Sequence, residues 1–139
     1  MSDIVYESVT SVPTEAIVDL YRAGGWWQEE SSWRAAIPAM VRGSFCFCVA
    51  RATGGRVVGM GRVISDGASD GYIQDVVVLP EFRRRGIGRE LIRRLTERCL
   101  AAGLTWVGLI AEPGTQALYE RLGYQALAGY QPMLYKPRP

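Results

Sequence analysis

The stretch from residue 72 to residue 110 constrains the fold more than any other part of the chain. Tyr72 to Leu79 reads Tyr-Ile-Gln-Asp-Val-Val-Val-Leu, a strongly β-branched strand ended by Pro80. After an arginine- and glycine-rich segment, Ile87, Leu91, Ile92, Leu95 and Cys99 recur at helical spacing until Gly103 stops the pattern. Thr105 to Ile110 is then a second apolar run, read as a buried strand. Strand, helix and strand in this order form a right-handed crossover between two parallel strands of one sheet. Any fold for this chain must contain that parallel pair.

The flanking residues add antiparallel elements. Ile4 to Val9 reads as a first strand, and Thr14 as the cap of a helix through Ala23 that carries Ile17, Val18 and Tyr21 and ends at Gly24-Gly25. Ser31 or Ser32 caps a second helix with Trp33, Ala36, Ile37, Met40 and Val41 on its apolar side. Ser44 to Ala50, the turn Thr53-Gly54-Gly55 and Val57 to Ile64 form a hairpin, and Asp66-Gly67 with Asp70-Gly71 mark the next loop. Thr115 to Leu122 is a short helix closed by Gly123, with Tyr124 to Leu127 and Met133 to Lys136 as a last pair of strands. The fold class is α/β with a mixed sheet, and 139 residues suit a single domain, residues 1–139.

Composition removes several functions. The chain has no histidine, so a general base working near neutral pH must be a carboxylate, a tyrosine or water held by such groups. That excludes a nucleophilic triad built on imidazole. The three cysteines make no disulfide framework: Cys46 and Cys48 alternate on one strand face and Cys99 falls on the helix stripe, so all read as buried thiols and no metal site is expected. No apolar run reaches the roughly 18 residues of a membrane span. Met1-Ser2-Asp3-Ile4 lacks a signal peptide's basic and apolar regions, so a cytoplasmic location is expected, with no membrane partner. A net charge of +2 is too small for a nucleic-acid footprint, and no nucleic-acid partner is expected.

That charge is unevenly placed. Arg83, Arg84, Arg85 and Arg89 crowd a helix start, where unpaired N–H groups and the helix dipole already favour anions. A bound phosphate resolves the crowding, with Gly86 and Gly88 letting the backbone approach it. A basic surface loop shaped by glycines is the alternative. The segment lacks the Lys-Ser/Thr of a P-loop and the three-glycine spacing of a dinucleotide fingerprint.

Two motifs decide between these readings. Arg83-Arg84-Arg85-Gly86-Ile87-Gly88 resembles the Arg/Gln-x-x-Gly-x-Gly/Ala signature of the GCN5-related N-acetyltransferase (GNAT) superfamily, here preceded by Leu79-Pro80-Glu81. Ala117 to Tyr124, Ala-Leu-Tyr-Glu-Arg-Leu-Gly-Tyr, resembles its second signature. The resemblance implies the acyl-CoA N-acyltransferase fold: a mixed, mostly antiparallel central sheet with a splayed parallel strand pair and flanking helices. It implies a transferase that moves acetyl from acetyl-CoA, the co-substrate, directly to a primary amine acceptor. A non-catalytic acyl-CoA-binding regulatory module is the alternative.

The same resemblance implies roles for residues. Val76, Val77 and Val78 belong to the cofactor strand, where the main chain of Val76 and Val78 bonds the pantetheine arm and the Val76 amide faces the thioester carbonyl. The amides from Arg84 to Arg89, across Arg85, Gly86, Ile87 and Gly88, hold the pyrophosphate, and the arginine side chains assist. Tyr119 is expected to protonate the departing thiolate. Asp75 and Glu112 are the candidate bases, either directly or through water, and Asp75 can equally be structural; Glu112 stands where many relatives carry asparagine. Tyr72 and Gln74 are read as lying on the strand face opposite Asp75. Leu20-Tyr21 with Gly25-Trp26 resembles an acceptor-site element, so Trp26, Trp27, Glu29 and Glu30 are read as an apolar and acidic rim, or else as loop packing. Residues 71–78 resemble the cofactor strand of glucosamine-phosphate acetyltransferases, but Gln74 replaces an acidic residue there, so the sugar substrate is not carried over. A homodimer is expected from relatives and from the edges that the final strands would offer.

Overall fold

The computed structural model describes residues 3–29 and 32–136, so the readings of Glu30 and Ser31 lie outside the described residues. Contacts divide the chain into two compact units, Met1–Leu109 and Ile110–Pro139. The first holds β1 (Val5–Ser8), α1 (Thr14–Ala23), α2 (Ser32–Gly43), β2 (Cys46–Arg51), β3 (Val57–Ile64), β4 (Asp70–Val78), α3 (Ile87–Ala101) and β5 (Trp106–Leu109). The second holds α4 (Gln116–Arg121).

Five strands form one sheet in the order β1-β2-β3-β4-β5. The first three pairings are antiparallel and β4–β5 is parallel, as the strand–helix–strand pattern requires. The mixed α/β class is therefore observed. The expected loop residues Asp70 and Gly71 belong instead to β4, because they pair with Trp106 and Val107. The loop is carried by Asp66, whose carboxylate accepts the amides of Ala68 at 2.8 Å and Ser69 at 3.1 Å. Strand β5 is less buried than its sequence suggests, since Trp106 is 47% exposed.

The α3 stripe packs on a face from which side chains are missing. Ile87, Leu91, Ile92, Leu95 and Cys99 are all buried. A methyl group added at Gly59 would meet Leu91 and Ile87 at 3.2 and 3.3 Å, and one at Gly61 would meet Leu95 at 2.8 Å and Val76 at 3.1 Å. At Gly71 it would meet Cys99 Sγ at 2.9 Å. Three glycines on two strands thus bring the helix close to the sheet. Strand alternation turns Met60 and Arg62 to the opposite face, where α1 lies.

Three helices end in the same way. Beyond α1, α3 and α4, Gly25, Gly103 and Gly123 adopt φ of +78°, +80° and +99°, a region costly for residues with a Cβ. The next amide in each case, of Trp26, Leu104 and Tyr124, bonds back to the carbonyl of Tyr21, Cys99 and Tyr119 at 3.0, 3.2 and 3.0 Å. These are Schellman motifs. Helix starts follow sequence less closely: Thr14 is the first helical residue of α1 rather than its cap. Pro13, extended at ψ 127°, precedes α1, and its carbonyl takes the Ala16 amide at 3.1 Å.

The expected final strands are absent: residues 124–127 and 131–136 are irregular. Tyr130 turns its amide back onto the Leu127 carbonyl at 3.1 Å, and Pro132 has no amide to give a ladder. The edge-pairing argument for a homodimer thereby loses its basis.

Gly61→Ala is expected to destabilise the protein by about 1–3 kcal/mol through overpacking against Leu95 and Val76. In the double variant Gly61→Ala/Leu95→Ala, chemical denaturation should show a cost smaller than the sum of the single costs. Strict additivity would show that the close approach of helix and sheet is not the constraint.

Candidate functional site

Strand β4 is interrupted at its centre. Gly59 pairs with Val78 and Met60 with Val77, but Arg62 pairs with Gln74, so Asp75 and Val76 together oppose the single residue Gly61. This is a β-bulge. Asp75 takes φ +61°, in the left-handed region that costs an L-residue about 1–2 kcal/mol, with Asp and Asn among the most tolerant. The extra residue overturns simple alternation. Asp75 does not lie opposite Gln74: its carboxylate meets Arg62, the cross-strand partner of Gln74, while Val76 turns toward Gly61 and α3.

The Asp75 carboxylate is held from two elements. Oδ2 accepts Arg62 Nε at 2.8 Å and the Tyr21 hydroxyl at 2.8 Å. The Arg62 and Asp75 side chains are only 14% and 12% exposed. Burial, and then the Asp75 charge, push the Tyr21 phenol well above its ordinary pKa, so it stays a donor. Tyr21 is also the ring beneath the tryptophan loop. It meets Trp26 edge-on at 6.1 Å and stacks with Trp27 at 6.4 Å, and Trp27 meets Trp33 at 6.3 Å. Gly24 makes room for Trp26, whose ring lies 2.9 Å from where a Gly24 Cβ would stand. The carboxylates nearby are engaged: Glu29 pairs with Arg22 at 3.0 Å, and Glu15 with Arg34, which lies over Trp27.

Beyond the bulge, β4 has an open edge. Its parallel pairing with β5 ends at Ile73–Leu109, whereas β4 continues to Val78. Leu79 donates to Val58 at 2.9 Å, so alternation points the main chain of Val77 at β3 and that of Val76 and Val78 at the open edge. The splayed pair expected from sequence is therefore present. Tyr72, on the pairing part of β4, stands opposite Ile64 and Gly108 and is half-buried.

The arginine segment resolves into distinct parts. Arg83 bonds within the protein: its amide to Pro80, its Nε to the Val78 carbonyl at 2.9 Å and its Nη2 to the Ala23 carbonyl at 3.2 Å. It ties the end of β4 to the end of α1. Arg85 lies over the Phe82 ring at 5.1 Å. Arg84 and Gly86 adopt φ of +63° and +79°. Residues alternating into the left-handed region turn successive amides toward one side, a geometry that binds anions. The first main-chain bond of α3 runs from Glu90 to the Gly86 carbonyl at 3.0 Å. Among the described residues, the amides of Arg84 through Arg89 therefore have no main-chain acceptor. Glu90 does not fill this anion site, because Arg93 and Arg94 bond its carboxylate along the helix flank.

In the second unit, Glu112 is exposed and its carbonyl accepts the amide and the hydroxyl of Thr115, at 3.0 and 2.7 Å. Tyr119 is half-buried on α4 and meets Tyr124 edge-on at 5.9 Å. Burial, then Tyr124 and Glu112, raise its pKa above the ordinary phenol value. The tyrosine is therefore neutral and able to donate a proton throughout the neutral range. What sequence reasoning missed is the Arg62–Asp75–Tyr21 contact. The one local signal was an aspartate inside a β-branched run.

Among the described residues no cluster of His, Cys, Asp or Glu can hold a metal, and no helix is long and apolar enough to cross a membrane. The chain is 32% identical over 84 residues to an uncharacterized N-acetyltransferase of Pyropia yezoensis, a match covering 60% of this chain and 48% of that protein. It thus spans about half the length of that curated relative. A GNAT family acetyltransferase of Streptococcus pneumoniae superposes with a TM-score of 0.78 at 25% identity, covering 98% of this chain and 99% of that one. Glucosamine-6-phosphate N-acetyltransferase of Arabidopsis thaliana shares the fold, with a TM-score of 0.68 at 18% identity over 96% of this chain and 99% of that one. Residues 14–124 match the family model described as Acetyltransferase (GNAT) family, and the chain belongs to that family.

Proposed function

We propose that the protein transfers acetyl from acetyl-CoA directly to a primary amine while both are bound, and that residues 1–139 act as one catalytic domain. The observation that carries this reading is the row of unpaired amides from Arg84 to Arg89, beside the open edge of β4. The amides fit a pyrophosphate, with Arg84, Arg85 and Arg89 exposed around it. The edge at Val76 and Val78 fits an extended amide-bearing arm such as pantetheine. Arg83, bonded inside the protein, shapes this site rather than contacting the phosphates.

When bound, acetyl-CoA supplies an activated acyl group. The amine nitrogen forms a bond to the thioester carbon and the carbon–sulfur bond breaks. The Val76 amide donates to the carbonyl oxygen as charge develops there. Tyr119, kept protonated by its surroundings, gives its proton to the departing sulfur. The proton lost by the amine goes to water or to a carboxylate, for which Glu112 remains a candidate. Trp26 and Trp27 supply the apolar part of an acceptor rim, with Tyr72 as a polar neighbour of the cofactor strand. The acceptor is a small-molecule or protein amine.

Titration calorimetry should detect acetyl-CoA binding, and thiol release should follow with some member of a panel of amines and peptides. Binding without release from any acceptor would favour the regulatory acyl-CoA-binding module. A methyl group at Gly88 has room, its nearest neighbour being Val78 at 3.8 Å. Gly88→Ala should therefore fold at least as well as the parent, Ala being the better helix former by about 1 kcal/mol. If the backbone approaches phosphate there, acetyl-CoA affinity falls at least about 10-fold, a loss of about 1.4 kcal/mol. Unchanged affinity would move the anion site elsewhere.

Tyr119→Phe should lower kcat about 100-fold or more with little change in coenzyme A affinity. Because the folded pKa is raised, the acid form is lost only above the ordinary phenol value, so kcat should show no tyrosine-dependent fall below about pH 10. Unchanged turnover in Tyr119→Phe would remove this residue from the mechanism.

A further inference from the structure

We propose that Arg62 and Tyr21 are positioning residues that clamp the Asp75 carboxylate, hold the bulge at Asp75–Val76, and so aim the Val76 amide at the open edge of β4. The clamp deepens the proposed function, since the group awaiting that amide is the thioester carbonyl. Four observations support it.

The bulge is intrinsically unfavourable at an aspartate. Among the described residues only Asp75 and Arg84 combine a Cβ with positive φ, and both border the candidate site. Such conformations persist where surrounding structure over-determines them. Here the over-determination is visible: two 2.8 Å bonds reach Oδ2 from β3 and from α1.

The bulge also decides which way Val76 faces. Without the extra residue, pairing would slip by one on one side of Asp75, and every later side chain and amide would exchange faces. The Val76 amide would then point at β3 instead of the open edge. Buried Val77 and Val78 would have to leave their present contacts.

The partners are chosen for permanence. The Arg62 side chain is only 14% exposed, and Tyr21 is buried at 8% exposure between Asp75 and the tryptophan loop. Its hydroxyl also lies 3.0 Å from Met40 Sδ, so α2 closes the clamp from behind.

A carboxylate bonded in this way is committed. Oδ2, the atom that both bonds reach, faces a cation and a hydroxyl, not an approaching amine. Asp75 is thus assigned to the brace, which leaves the base to Glu112 or water.

Four single variants separate the brace from the base. Asp75→Asn tolerates a left-handed backbone and keeps an acceptor oxygen. Its kcat should fall no further than in the clamp variants below, about 10-fold at most, well short of the roughly 100-fold loss expected for a missing base. Arg62→Met and Tyr21→Phe should lower kcat about 10-fold, as misplacement of an oxyanion donor does, with KM for acetyl-CoA nearly unchanged. Arg62→Lys, which keeps the charge, should recover part of that loss.

A spectroscopic readout avoids turnover altogether. With carbonyl-labelled acetyl-CoA bound, the thioester infrared band should be displaced in the parent and in Asp75→Asn. In Arg62→Met it should return toward its position in water. A band identical in the parent and Arg62→Met overturns the clamp, as does a 100-fold kcat loss in Asp75→Asn at an unchanged band position. Failure of the parent to bind acetyl-CoA would instead sink the proposed function. The clamp is then decided by the crystal structure of Arg62→Met, or of Arg62→Lys if the former does not fold: positive φ and an unchanged register at Asp75 overturn it, and their loss supports it.

Discussion

Helix α3 lies close to the sheet because Gly59, Gly61 and Gly71 present no side chains to it. That closeness sets much else. It buries the stripe from Ile87 to Cys99, and it fixes where the first turn of α3 begins relative to the end of β4. The unpaired amides of that first turn and the open edge of β4 become neighbours through the same packing.

The second determinant is the single extra residue at Asp75–Val76. A regular β4 would run parallel to β5 with alternating faces throughout. The bulge instead places Val76 against α3, Asp75 against Arg62 and Tyr21, and the later amides along an edge that β5 does not cover. Tyr21 then joins two regions that would otherwise be independent, the tryptophan loop after α1 and the strain point of β4. Arg83 makes a second tie between the same regions, from the Val78 carbonyl to the Ala23 carbonyl. The geometry of the donor edge and the position of the Trp26–Trp27 loop are therefore mechanically connected within the first unit.

Much of this was legible from residue types because the signals were local. Gly25, Gly103 and Gly123 marked helix ends, since a left-handed residue is where an α-helix can close its last carbonyls. The stripe from Ile87 to Cys99 predicted a buried face, and all five residues are buried. Helix starts were harder: a serine or threonine near the boundary does not reveal whether it caps the helix or begins it. The final strands failed for a related reason, because apolar alternation permits a strand but only a partner edge creates one. At Tyr130 and Pro132 the chain lacks the donors to build it.

Sequence by itself determined the parallel crossover, the mixed sheet, the anion-favouring helix start and the absence of imidazole chemistry. Each rests on periodicity, composition or residue type, which neighbours in space do not alter. Tertiary structure decided which strand edge stays open, which arginine is structural and where Asp75 points. Those depend on a one-residue shift between β3 and β4, and on contacts such as Tyr21 to Asp75 that span 54 positions of sequence. A register shift leaves no mark on composition or period, yet it reverses the faces of all that follows.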